Sequence, residues 1–281
     1  MKLSRRFPLV YVAGTGVRYI LLGTVALIMS FPLLWMLLLS LKARPQSYAS
    51  FNELLLAPLT LQHFGDILLG DAFGRYFINS LIVALVVTAG NSVFCLMTAY
   101  AFARKEFRGR GLLFSSVLAV MMIPPHVVMI PLYRMMVAFG WINTYQSLII
   151  PWLVTPFGVF LLRQYIISLP SDVEDAARID GASEWYILFR VVMPLCKPAL
   201  TVLALYIFLA SWNSFLFPFL FTNDAAHRTL TVGLAAFQSK NTIDWSHLMA
   251  GASISALPVI ALFLVFQKQI VQGMTAGALK E

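Results

Sequence analysis

Charge is scarce in this sequence. Only 11% of its 281 residues are Asp, Glu, Lys or Arg, against roughly 25% in an ordinary soluble domain. That excludes a conventional water-soluble globule. Cysteine is nearly absent: Cys95 and Cys196 are neither spaced nor placed for a disulfide or a thiolate metal site, and both read as packing residues. The four histidines, His63, His126, His227 and His247, are scattered without ligand pairs, so no metal is expected. No G-x-x-x-x-G-K-[ST] occurs, so the chain has no phosphate-cradling loop of its own and no cofactor is expected on it. The acidic residues lack the D-D-x-x-D type of spacing that serves metal-diphosphate chemistry. The chain therefore reads as non-catalytic.

What is present is length without charge. Hydrophobic residues make up 60% of the chain. Six windows, 19–41, 76–103, 111–133, 135–162, 198–223 and 245–267, contain no Asp, Glu, Lys or Arg. Each exceeds the roughly 20 apolar residues a helix needs to cross a hydrocarbon core. A spanning chain must satisfy its own backbone groups, so these are helices; a closed barrel would alternate every second residue, which this chain does not. The fold class is all-α, a polytopic membrane protein with six spans near 20–41, 77–103, 112–138, 146–168, 198–221 and 246–267. One membrane domain covers 1–281, with a tail at 268–281. Prolines at 124, 125, 131, 151, 156, 218 and 258 are expected to kink spans, either as fixed bends or as hinges. Small residues at Thr88–Ser92 and Gly251–Ser253 permit close helix approach and suit a partner membrane subunit.

Basic residues set the orientation. With both termini in the cytoplasm, fourteen of the twenty Lys and Arg residues fall on the inner side, as the positive-inside rule requires. The net charge of +8 then follows from topology, and no nucleic acid need be invoked. The apolar run after Lys2, Arg5 and Arg6 is too long for a signal core and lacks a small-x-small cleavage site, so it reads as a retained span.

Five of the twelve acids, Asp172, Glu174, Asp175, Asp180 and Glu184, crowd into residues 170–198. Here the sequence predicts two short helices around a turn. Ser171 and Glu174 form an S-x-x-E capping box, with Asp172 and Asp175 in the same first turn. Glu174 and Arg178 are placed as an i, i+4 ion pair. Gly181 is placed to stop the first helix in a left-handed conformation, Ser183 caps the second, and Pro194 ends it. On shape alone, a structural elbow between two spans and a knob shown to a soluble partner are both open.

Spacing favours the knob. Asp175-Ala176-Ala177, three residues, Gly181, nine residues, then Val191-Val192-Met193-Pro194 resembles the EAA loop of permease subunits of binding-protein-dependent ABC importers, with Asp, Val and Met standing for the family's Glu, Ile and Leu. Residues 176–183 (AARIDGAS), 212–217 (WNSFLF) and 267–280 (QKQIVQGMTAGALK) look like the carbohydrate-uptake branch, and most like the second permease subunit of maltose-type importers. The resemblance implies a type I importer fold in the bacterial cytoplasmic membrane. It also implies heterodimerisation with a second permease subunit, an ABC ATPase dimer that uses the ATP, and an extracytoplasmic solute-binding protein. It makes Asp175, Ala176, Ala177, Gly181, Val191, Met193 and Pro194 the ATPase-coupling residues, and lets the Gly-rich tail reach into the ATPase dimer.

A sugar path needs hydrogen-bonding groups and aromatic faces at mid-depth. Asn79, Ser80, Asn91, Tyr100, Trp212, Asn213 and Ser214 are the candidates, with interhelical glue as their other role. The lone His126 reads as a packed, hydrogen-bonded residue, the other reading being a proton relay. An ion-coupled secondary transporter is the other class of function; the absence of Asp and Glu from every span opposes it. A permease for a non-sugar solute such as glycerol 3-phosphate stays open.

Overall fold

The computed structural model describes residues 7–43, 50–70, 72–238 and 243–276, with side chains over 16–43, 50–69, 72–238 and 243–268. In chain order the α-helices are α1 (Phe7–Ser40), α2 (Phe51–Leu56), α3 (Gln62–Gly70), α4 (Phe73–Arg104), α5 (Arg110–Met121), α6 (Met129–Ala138), α7 (Tyr145–Ile149) and α8 (Pro156–Ile167). They continue with α9 (Asp172–Ile179), α10 (Glu184–Tyr186), α11 (Met193–Leu195), α12 (Lys197–Trp212), α13 (Leu216–Phe221), α14 (Leu230–Ala235) and α15 (Trp245–Ala276). A π-turn, Ile187–Val192, makes α10 and α11 continuous. No strand forms among the described residues; two isolated antiparallel bridges join Lys42 to Leu59 and Gln238 to Ile243. The tail expected at 268–281 begins as the last turns of α15, and residues 277–281 lie outside the described residues.

The all-α fold class is borne out, with two corrections to the spans. The third, expected unbroken at 112–138, bends by 97° between Arg110–Met121 and Pro125–Ala138. Pro124 and Pro125 cause the break: neither has an N–H to continue the ladder, and each bars the helical conformation for the residue before it. His126 sits at this elbow, exposed rather than packed. The fifth, expected at 198–221, ends at Trp212 and resumes as α13 after Asn213, Ser214 and Phe215. On its other side the chain turns by 81° at Cys196, between Glu184–Leu195 and Lys197–Trp212. Leu195 continues the helix one residue past Pro194, which was expected to end it.

Contacts divide the chain into two compact units: residues 1–71 with 237–254, and residues 72–236 with 255–281. In the first, side chains of α1 from Gly16 to Leu34 are exposed, as suits a face for lipid or another chain. Beyond α1, Lys42 is fully buried, its Nζ donating to the carbonyls of Leu55 and Ala57 at 3.0 and 2.5 Å. The ammonium thereby uses the C-terminal carbonyls of α2, where the helix dipole is negative.

In the second unit α4 is the central post. Val83, Val87, Asn91, Cys95 and Ala99 recur every fourth residue, all buried, and form the inward stripe that a helical period predicts. Against it lie Val159, Leu162 and Ile166 of α8, and Ala199, Leu203 and Ile207 of α12. Both cysteines are buried and free. A close approach of α8 to α4 falls at Gly158, where a Cβ would stand 2.8 Å from Cys95 Sγ and 2.9 Å from Thr155 Oγ1. Overpacking of this kind costs about 1–3 kcal/mol. Gly158→Leu should therefore lower the thermal midpoint of the purified chain in detergent. Gly74→Ala, where nothing lies within 4 Å, should leave it unchanged or raise it slightly; equal midpoints for the two variants would refute this packing.

Candidate functional site

The acid-rich segment folds as a knob held to the end of α4. The helix α9 starts at Asp172, and its C-terminus closes as the sequence requires. Gly181 takes φ +82°, and the amides of Gly181 and Ala182 reach back to the carbonyls of Arg178 and Ala177 at 3.0 Å. Nothing lies within 4 Å of where a Cβ at Gly181 would be, so the glycine is demanded by backbone conformation alone. Ser183 caps α10, its Oγ accepting from Tyr186 N at 3.3 Å. Pro194 follows the π-turn and offers no N–H to the carbonyl of Arg190, a local reason for the wider winding.

The expected capping box does not form: Ser171 makes no side-chain cap. Glu174 turns inward instead, 2% exposed, and its Oε1 accepts from Arg104 Nε at 2.7 Å. Arg104 Nη2 also donates to Leu169 O at 2.8 Å. A buried charge survives only when paired and bonded, and here the pair joins the last residue of α4 to the first turn of α9. The expected Glu174–Arg178 pair exists at 3.7 Å, but Arg178 is held more tightly by Asp175, at 2.6 Å. Around Glu184 a second cluster forms. Its Oε1 receives Lys105 Nζ at 2.6 Å and Arg178 Nε at 3.4 Å, and its Oε2 receives the Tyr100 hydroxyl at 3.0 Å. The Lys105 ammonium holds the Glu184 carboxyl below the usual carboxylate range.

The sequence-predicted coupling residues divide between two faces. Ala177, Val191 and Met193 pack on the core, while Asp175, Ala176, Gly181 and Pro194 are exposed. Beside the exposed set stand apolar side chains left uncovered, Ile179 at 87%, Trp185 at 62% and Tyr186 at 56%. Asp172, Asp175 and Asp180 are exposed among them, which marks a watered surface rather than a lipid-facing one. Exposed apolar groups rimmed by charge are the kind of surface that protein contacts use.

Most of the candidate sugar-path residues are structural ties. Asn79, buried, donates to Ala226 O and Arg228 O at 2.8 and 2.9 Å and accepts from Tyr145 Oη at 2.7 Å. Asn91 donates to Trp152 O at 2.9 Å. Trp212 donates to Ser255 O at 3.1 Å, and Asn213 to Leu209 O at 2.9 Å. Tyr100 belongs to the knob. Ser80 and Ser214 line a cavity of about 660 Å³, and with them stand Trp152, Phe157, Tyr206, Ser211 and Thr229, along with residues of the third-span elbow. The sequence reading missed these aromatics. It also missed Arg104 and Lys105, although two adjacent cations ending a span across from five acids were the available signal.

These features define a class: a polytopic membrane protein whose helices carry a compact, partly apolar knob at the end of α4. Residues 93–276 match the family described as binding-protein-dependent transport system inner membrane component, and the chain belongs to it. It is 38% identical over 260 residues to the trehalose/maltose transport system permease protein of Thermococcus litoralis, covering 91% of this chain and 93% of that one. It is 38% identical over 211 residues to the arabinooligosaccharides transport system permease protein of Bacillus subtilis, covering 75% of each. Its fold matches a chain of a crystal structure of a bacterial ABC transporter involved in the import of alginate, with TM-score 0.79 at 22% identity, over 95% of this chain and 99% of that one.

Removing one partner of a buried ion pair strands the other and costs about 3–5 kcal/mol, whereas replacing both by apolar groups is often tolerated. Glu174→Ala should therefore destabilise the chain in detergent markedly more than the double replacement of Arg104→Met with Glu174→Leu. Equal losses would show that the pair is not the tie described.

Proposed function

We propose that this chain is the permease subunit through which an ATP-binding-cassette importer moves a carbohydrate inward. An ATPase subunit docks on the cytoplasmic coupling loop at 171–194, a second permease subunit pairs with the bundle, and a binding protein delivers the solute from outside. The carrying observation is that the register-matched loop is an exposed, left-handed-capped knob tied to α4 by a buried ion pair. A push on the knob then reaches α4 directly, and through the stripe of α4 reaches α8 and α12. The cavity near the elbow supports the carbohydrate reading, because aromatic faces with hydroxyls at their edges suit sugar rings, which present apolar faces and polar rims. The names of the relatives, permeases for trehalose/maltose and arabinooligosaccharides, support it further. The comparisons do not favour an ion-coupled carrier. The orientation that goes with this reading places both termini and the knob in the cytoplasm.

Replacing Gly181 with leucine would place a branched side chain at positive φ, costing roughly 1–2 kcal/mol locally, and project it into the docking surface. Replacing Ile179 with glutamate would charge that surface without touching the core. Both variants should reach the membrane at wild-type levels, yet lose at least tenfold in ATP-driven uptake by the assembled importer. Uptake unchanged in both would sink coupling through this knob. A purified single chain driving solute flux unaided would sink the permease reading itself.

A further inference from the structure

Two histidines that lie far apart in the sequence meet in the first unit. His63 and Asp66 sit on one face of α3, three residues apart, and His247 stands in the first turn of α15. One ligand atom from each of His63, Asp66 and His247 lies within 4.8 Å of the others. The imidazoles of His63 and His247 meet edge to face, with centroids 5.0 Å apart. His63 is 8% exposed, and neither of its ring nitrogens has a hydrogen-bond partner among the described residues. Buried polar groups are nearly always partnered, so an imidazole with two vacant nitrogens beside a carboxylate and a second imidazole points to a missing ligand.

His247 is prepared for the same task. Asp244 precedes α15, and its Oδ1 accepts from His247 N at 3.2 Å while its Oδ2 lies 2.6 Å from His247 Nδ1. That contact places the Nδ1 proton toward Asp244 and leaves Nε2 as the free lone pair. Nε2 faces Asp66 Oδ2 at 3.5 Å. A carboxylate behind a metal-binding histidine is the usual device for fixing its tautomer and orientation. Phe237 stacks on the same ring, with centroids 5.8 Å apart, and restrains it from a further side.

We propose that His63, Asp66 and His247 form a binding site for a divalent transition-metal ion of the zinc class, with Asp244 as the positioning residue for His247. Two imidazole nitrogens and one carboxylate oxygen are a zinc donor set. Tetrahedral zinc with bonds of about 2.0–2.1 Å separates its ligand atoms by roughly 3.3 Å, so the 3.5 Å gap between His247 and Asp66 is already near that spacing. Rotation of the His63 ring completes the triad. Asp66 is about half exposed, which gives an ion a way in and leaves a fourth position for water. The site would staple α3 to the start of α15, two elements of one unit that lie far apart in the sequence.

The test uses the full-length chain in detergent, purified through a tag that contains no histidine, stripped with chelator and equilibrated with zinc or cobalt(II). The wild type should retain one zinc per chain, show the visible absorption of four-coordinate cobalt, and gain in thermal midpoint on zinc addition. His63→Ala and His247→Ala should each abolish retention, and Asp244→Asn should weaken it about 10–100-fold. Wild-type protein that neither retains zinc nor binds cobalt would overturn the site, leaving His247 a simple bridge between two carboxylates. So would metal content equal in the wild type and the double histidine variant. The cobalt spectrum and the midpoint shift are read on the wild type, so the proposal stays exposed to refutation even if the variants do not fold.

Discussion

The ion pair between Arg104 and Glu174 is the constraint on which the rest of this architecture rests. Each partner alone would be a poorly solvated charge at the edge of a bundle; together, with the Leu169 carbonyl accepting a further hydrogen bond from the guanidinium, they are tolerated. The pair converts what could have been a loose connection between two spans into a continuation of α4. A surface contact on α9 is thus mechanically a contact on the central post. The outer cluster of Lys105, Arg178, Asp175 and Glu184, which the buried Tyr100 hydroxyl joins, adds direction more than energy, because its charged members are a third or more exposed and such pairs are weak.

From that post outward the packing is tight where the helices must move together and loose where they must leave room. The groove at Gly158 brings α8 within van der Waals reach of α4, leaving no space between those two helices there. The opposite condition holds around Trp152, Phe157 and Tyr206, where side chains from several elements stand back from one another and enclose space.

Much of this was legible in the sequence, and what was not has physical causes. The all-helical character and the approximate placement of the spans follow from charge-free runs, because lipid imposes a composition that no tertiary contact can override; the breaks within them do not. Gly181 and Ser183 were readable because each acts within its own turn. Glu174 was misread for the opposite reason: a local rule gave it a capping role, but Arg104, seventy residues away in sequence, offered a better partner. The histidines escaped notice for the same cause, since the approach of α3 to the start of α15 leaves no spacing pattern. Among the polar residues taken for a solute path, Asn79 and Asn91 had no way to reveal that loop carbonyls consume their amides. The double proline was read as a kink, yet its full bend of 97° depends on two successive residues lacking N–H groups.

That elbow has a consequence for hydration. Hydrocarbon offers no donor to carbonyls released by consecutive prolines, so such a break is stable only beside protein or water. Met121, Ile123, Pro125 and Val128, the residues of the bend, border the enclosed space. The freed carbonyls of the break must therefore be met by neighbouring protein or by water that enters this space. A solute entering that space would exchange its hydration shell for the aromatic and hydroxyl groups that line it.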